Sequence, residues 1–163
     1  MDIKLYKTYI RPKLEYNTPV WSPYLQKDIC KVEQVQRNFT KRVCIRCNIP
    51  FNSYSDRLYK LNLHSLEYRR IKFDIILIFK IINGFSDLNF HEYFVFRCLP
   101  YNFRGNSRKI ETIKNFRSDY WKNSFFVRAS NYWNRLPDEI ASSPTLCLFL
   151  SRIKKFDLNL LLP

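Results

Sequence analysis

Residues 5 to 43 read LYKTYIRPKLEYNTPVWSPYLQKDICKVEQVQRNFTKRV, and this stretch decides the fold. It predicts a helix, then a corner stiffened by Pro19, Trp21 and Pro23, then a longer helix. In the longer helix Leu25, Ile29, Val32, Phe39 and Val43 recur at spacings that keep to one helical face. Lys27, Lys31, Gln34, Asn38 and Lys41 fall on the opposite face, with Arg42 beside them. One side can pack while the other presents positive charge to something anionic.

The first helix is expected from about Asp2 to Tyr16, with Leu5, Tyr9 and Leu14 on its apolar side. Pro12 falls inside it and should kink or split it, because proline lacks an N–H and clashes one turn back. Asn17 suits a left-handed cap, and Trp21 is expected as a core anchor. Downstream, Ser53 or Ser55 can cap a short helix ending near Asn62. Ser65 then caps a strong helix, with Glu67 in its favourable first turn. The interior from Ile71 to Ile82 is apolar nearly all round, as in a buried helix, and Asn83-Gly84 supplies a left-handed end. Asp74 and Lys80 are expected at its wetter edge.

From Phe85 the texture changes to interspersed aromatics, with a turn at Arg104-Gly105-Asn106 and short strands on either side. A helix from Asn123 to Leu136 follows, stopped by Pro137; Asp138-Glu139 reads as an ordinary helix start. Ser143-Pro144 reads as the cap and first residue of a last amphipathic helix carrying Leu146, Phe149, Leu150, Ile153 and Phe156. The expected fold is therefore mostly α, a compact helical domain with room for one small β-hairpin around residues 94–114. Three segments are expected, 1–48, 49–84 and 85–163, acting as one folding unit.

Charge points to a partner. Lys and Arg number 28 against 14 Asp and Glu, a net charge of +14. A polyanion, most often nucleic acid, is the usual counterpart of such a surplus. Residues 97–135 hold nine basic residues, among them Arg104, Arg108, Lys109, Lys114, Arg117, Lys122 and Arg128, against Glu111 and Asp119. Phe103, Phe116, Tyr120 and Trp121 interleave with them, so cations can meet phosphates while rings stack bases. An anionic membrane surface is the rival partner. The apolar run Ile75 to Phe79 is too short to span a bilayer, and Met1 to Lys4 opens no signal peptide. A nuclear or cytoplasmic, non-secreted, non-membrane protein is expected.

The cysteines are Cys30, Cys44, Cys47, Cys98 and Cys147, an odd count that suits reduced thiols. Cys44 and Cys47 have the gap of a zinc half-site, but no second pair with that spacing stands nearby. No metal or cofactor is expected in this chain.

An ordered set of short motifs carries a resemblance. Leu5-Tyr6-Lys7-Thr8-Tyr9-Ile10-Arg11-Pro12 is followed by Leu14-Glu15-Tyr16, Pro19-Val20-Trp21-Ser22-Pro23-Tyr24, and Val32-Glu33, Val35-Gln36-Arg37 and Phe39-Thr40-Lys41-Arg42. Leu61-Asn62-Leu63, Ser65 to Arg70, Phe79 to Gly84, Arg104 to Ser107, Asn123-Ser124-Phe125 and Trp133 to Pro137 come after. In this order they resemble the region after the palm, the thumb and its extension, of reverse transcriptases from non-LTR (LINE-type, Jockey-like) retrotransposons. Where such proteins carry glycine, Asn17 stands here, a mild departure.

The resemblance implies a fragment of an RNA-directed DNA polymerase acting at a nicked chromosomal target. Its partners would be template–primer RNA and DNA, together with the palm and fingers of the parent polyprotein. The family's palm carboxylates hold two Mg²⁺ ions about 4 Å apart. Its Tyr/Phe-x-Asp-Asp motif occurs nowhere in this chain, so Mg²⁺ belongs to the parent alone, and no catalytic residue or polymerase activity is expected here. A stand-alone, non-specific nucleic-acid-binding module and an inert truncated remnant remain the alternatives.

Overall fold

The structure is a computed structural model and describes residues 3–97, 107–112 and 118–161. The fold is mostly helical, and among the described residues there is no strand. Contacts within the chain gather into two compact units, Met1–Arg70 and Ile71–Pro163.

The first unit begins with α1 (Ile3–Leu5), a π-helical turn (Tyr6–Ile10) and α2 (Arg11–Glu15). The π turn is the physical answer to Pro12. The ring would collide with a carbonyl one turn back, and widening the turn lets the Arg11 N–H reach the Tyr6 carbonyl instead. The extra residue rotates the helix face. Leu5 and Tyr9, expected on the apolar side, are exposed, and Tyr6 is the fully buried residue. Asn17 adopts the left-handed conformation expected of it, with φ 52°. It opens α3 (Thr18–Trp21). Trp21 does not anchor the core: it is 42% exposed, and its indole N–H donates to the Tyr16 carbonyl at 2.6 Å.

The long helix α4 (Gln26–Arg46) buries Ile29, Phe39 and Val43 as its spacing requires. Leu25 falls outside this stripe, because it is the exposed residue that precedes the helix. Tyr6 stacks on Phe39 with ring centroids 4.2 Å apart, and Val43, Cys44, Leu61 and Leu63 complete that cluster. Ser53 caps α5 (Tyr54–Lys60) by accepting the Asp56 N–H at 3.1 Å. Asn48 and Asn62, with φ 51° and 50°, end α4 and α5. Each lets the next residue's N–H turn back to a helix carbonyl, Ile49 to Cys44 and Leu63 to Leu58, both at 2.9 Å.

Helix α6 (Leu66–Ile82) starts in the first unit and runs into the second. Ser65 accepts the Tyr68 N–H at 3.1 Å as expected. Gly84, at φ 69°, closes the helix in the left-handed conformation that glycine enters without steric cost.

In the second unit Ile75, Ile78 and Phe79 of α6 are fully buried. Phe79 stacks on Phe149 at 3.9 Å, and Trp133 lies 6.4 Å and 6.3 Å from these two rings. The elements after α6 are α7 (Phe90–Tyr93), α8 (Asp119–Lys122), α9 (Phe125–Asn134), α10 (Asp138–Ala141), α11 (Leu146–Lys155) and a 3₁₀ turn (Leu158–Leu161). Asp138-Glu139 does open a helix, with Pro137 before it. The last helix starts later than its sequence suggests: Thr145, not Ser143, accepts the Leu148 N–H. Ser143 is buried and donates its hydroxyl to the Ile140 carbonyl at 2.7 Å, so it closes α10 rather than opening α11.

The expected hairpin region holds one antiparallel bridge, Phe96 to Ile110. Backbone bonds of 2.8 Å from Arg97 to Lys109 and from Glu111 to Val95 flank it. Residues 98–106 and 113–117 lie outside the described residues, and with them the expected turn and Cys98, Phe103 and Phe116.

Candidate nucleic-acid interface

The orientation of α4 is set by a row of buried polar residues that share a face with Ile29 and Val43. Glu33, Gln36 and Thr40 are all buried. Gln36 donates to the Tyr54 hydroxyl at 3.0 Å and to the His64 carbonyl at 2.9 Å, and accepts from the Tyr6 hydroxyl at 2.8 Å. Glu33 accepts the Tyr54 hydroxyl and, at 3.0 and 3.2 Å, the Leu66 N–H. Burial raises the Tyr54 phenol above its ordinary value, and its bond to Glu33 adds to this. Burial likewise raises Tyr6, with the Glu33 charge second. Both rings therefore stay neutral donors at any physiological pH. Outside this network, Arg69 holds Glu15 through two hydrogen bonds, the longer 2.9 Å.

With that face turned inward, Lys27, Lys31, Lys41 and Arg42 point outward and are exposed, as are Gln34 and Asn38. Lys31 lies 3.7 Å from Asp28, a solvent-exposed pair that contributes little. Gln34 donates to Asn38 at 2.8 Å, one turn away along the same surface. From Lys27 to Lys41 the ridge runs about 21 Å at the helical rise. That is enough to follow several phosphates of one strand, which rise about 3.4 Å each.

The second set of basic residues does not form one face in the described part of the chain. Arg104, Lys114 and Arg117 lie outside the described residues. Arg108 is exposed, and its guanidinium donates to Asn83 at 3.3 Å; Lys109 is half-buried. Lys122 is exposed at the end of α8, beside Tyr120 and Trp121, which are 80% and 47% exposed. Arg128 is different. Its guanidinium binds the Asp74 carboxylate at 2.7 and 3.4 Å and the Asn123 carbonyl at 3.0 Å. Asp74 is only 1% exposed, so it is not at a wet edge: it is the buried half of an ion pair that commits Arg128 to the interior.

Trp133 to Pro137, one of the segments that carry the resemblance, is a clasp. The Trp133 indole donates to the Arg108 carbonyl at 2.8 Å. Asn134 accepts the Ile110 N–H at 2.8 Å and donates back to its carbonyl at 2.7 Å, as a neighbouring strand would. Arg135 donates to the Leu160 and Leu161 carbonyls, Leu136 is buried, and Pro137 precedes α10. Asp138 accepts the Ser107 N–H at 2.7 Å, which holds its carboxyl below the ordinary value.

Sequence reasoning missed Glu33, Gln36, Thr40 and Asp74. For the first three the signal was present: Ile29, Glu33, Gln36, Thr40 and Val43 follow the same face spacing as the apolar stripe. Cys44 is buried, while Cys30, Cys47 and Cys147 are exposed. Among the described residues no group of three His, Cys, Asp or Glu side chains could hold a metal, and no helix is long and apolar enough to cross a membrane.

No protein-family model matches the chain, and no solved structure matches it. Over 68 residues it is 37% identical to an uncharacterized protein of Caenorhabditis elegans, covering 42% of this chain and 34% of that protein. The chain thus spans about a third of the length of the curated relative it matches.

Proposed function

We propose that this chain is the thumb-like, post-palm part of a non-LTR retrotransposon reverse transcriptase, and that it holds template–primer nucleic acid on the outer face of α4. The observation that carries this reading is the division of α4 into two faces. Residues of the resembling motifs, Glu33, Gln36, Phe39 and Thr40, turn inward and fix the helix, while Lys27, Lys31, Lys41 and Arg42 are left to solvent. Cations on a straight ridge neutralise phosphates and carry little sequence information. The net charge of +14 agrees with such a partner. The chain supplies grip and leaves nucleotide addition, with its Mg²⁺, to the palm of the parent. The nucleus or cytoplasm is its place of action.

The test is a salt titration of the purified chain against RNA–DNA, RNA and DNA duplexes of unrelated sequence. Binding should be insensitive to sequence and fall linearly on a log–log plot with salt. Salt-independent binding, or none, to all three duplexes rejects the reading. Template-directed nucleotide incorporation by the chain alone rejects the division of labour.

A further inference from the structure

The end of α4 holds a site that shares Arg42 with the basic ridge and extends past it to Arg46 and Cys47. A concavity of about 480 Å³ opens there, lined among the described residues by Arg42, Val43, Ile45, Arg46 and Cys47. Arg42 and Arg46 stand one helical turn apart, and both are exposed. Like charges at that spacing repel. Among the described residues neither guanidinium has a carboxylate partner to offset this.

The usual duty of arginines in a last helical turn is to satisfy the final carbonyls. Here the backbone already does so. The Cys47 N–H reaches the Val43 carbonyl at 2.9 Å, Asn48 reaches Ile45 at 3.2 Å, and Ile49 reaches Cys44 at 2.9 Å. The left-handed Asn48 makes these turns possible. Among the described residues neither guanidinium is engaged in a hydrogen bond, so each offers its planar fork of N–H donors, the geometry that fits a phosphate through two parallel bonds. The helix end contributes about half a negative charge, which two full positive charges exceed. Beside the pair, Ile45 is 58% exposed and offers an apolar surface. The volume falls within the roughly 300–1,000 Å³ of small-ligand sites.

We propose that the Arg42–Arg46 pocket binds a nucleotide phosphate, with the nucleoside resting on Ile45 and shielding the Cys47 thiol. This deepens the nucleic-acid reading by adding a seat for one nucleotide unit, supplied by a strand terminus or by a free mononucleotide. The two arginines hold the charge, and Ile45 takes the ring.

The experiment measures alkylation of Cys47 by iodoacetamide in the full chain, read by mass spectrometry. Cys30 and Cys147, which are also exposed and lie outside the pocket lining, serve as references. The probes are adenosine monophosphate, adenosine, inorganic phosphate, and hairpin duplexes with a 5′-phosphorylated, a 5′-hydroxyl or no overhang. Adenosine monophosphate or the phosphorylated overhang should slow Cys47 at least fivefold and leave Cys30 and Cys147 unchanged. Protection by both probes marks a free nucleotide as sufficient; protection by the overhang alone marks the strand end as the source. Arg42→Gln with Arg46→Gln should reduce the protection tenfold in apparent affinity. Should that double variant misfold, protection of the native chain still decides. Unchanged Cys47 reactivity with every phosphorylated probe overturns the proposal. So does equal protection by inorganic phosphate, because the nucleoside would then play no part. The blunt hairpin separates the two readings: its salt-dependent binding reports the Lys27–Lys41 ridge whether or not the pocket is filled.

Discussion

The Glu33 carboxylate accepts the Leu66 N–H from 33 residues away in sequence, at 3.0 and 3.2 Å. It thereby serves the first turn of α6 from the middle of α4, alongside the local cap Ser65. Glu33→Ala leaves that buried N–H and the Tyr54 hydroxyl without their acceptor. At about 1–3 kcal/mol for each orphaned group, a loss of about 3 kcal/mol is expected. Urea unfolding should show it as a lower midpoint at unchanged slope. A change under about 0.5 kcal/mol would remove Glu33 from the framework that orients the basic face.

Asp74 and Arg128 form a buried pair, 2% and 15% exposed at the side chain. Removing one partner takes away the other's counter-charge, so Asp74→Ala should cost about 3–5 kcal/mol. Replacing both, as Asp74→Leu with Arg128→Met, should cost clearly less, because neither charge of the pair is then left without the other. Thermal melts of the single and double variants make the comparison. A double variant less stable than the single would mean that the pair itself, rather than an uncompensated charge, dominates.

These two pairs also mark where the sequence was legible. Caps that act within a few residues could be read directly: Ser53, Ser65, Asn17 and Gly84 do what their types and places suggest. The partners of Glu33 and Asp74 could not, because they lie 33 and 54 residues away. The first helix misled for a different reason. Its π turn shifts the side-chain register, so an α-helical spacing placed Leu5 and Tyr9 inside and overlooked Tyr6. At Thr145 two good caps compete nearby, and Ser143 is already engaged by α10. The outward row Lys27, Lys31, Lys41 and Arg42 was legible because exposure on a helix follows from periodicity alone. The inward turn of Arg128 was not, since charge by itself does not reveal a buried counter-ion.

The Asn134 clasp gives a third prediction. Ile110 is 1% exposed, so Asn134→Ala orphans both of its backbone groups, for a loss of about 2 kcal/mol. Hydrogen exchange should accelerate at Ile110 and its neighbours 107–112 before it accelerates in α4. Uniform acceleration across the chain would contradict a local clasp.

A pH dependence follows from Asp138. Accepting the Ser107 N–H lowers its folded pKa below the ordinary value. The native state therefore binds fewer protons than the unfolded state in the window below that value. The stabilisation is complete above the ordinary Asp value near 4 and is lost as pH falls through the lowered one. The carboxylate is solvent-screened, so the size is well under about 1 kcal/mol. Amide exchange at Ser107 should be protected at pH 6 and lose that protection first on acidification. Asp138→Asn should remove the pH step. A step that persists in this variant would assign it to another carboxylate.

The last prediction separates the two basic sets. Lys27→Ala, Lys31→Ala and Lys41→Ala together remove exposed charges from the ridge of α4. Exposed lysines contribute little to folding, so the variant should keep its helical circular dichroism and its melting temperature. Each lost phosphate contact lowers the salt slope by roughly 0.9, so the slope should flatten by up to about three units. Affinity should fall across unrelated sequences alike, because these contacts position and do not specify. The companion set is Arg104→Ala, Arg108→Ala and Lys109→Ala. Arg108 already donates to Asn83, and Lys109 is half-buried, so their loss should flatten the slope less. Fluorescence anisotropy from low to moderate salt reads both variants against the native chain. Loss from the α4 set alone places the grip on that ridge. Equal loss from both sets means that the companion residues share the contact. Loss from the companion set alone moves the grip off α4, and the division of that helix into an inner polar row and an outer basic row would then serve packing and solubility only.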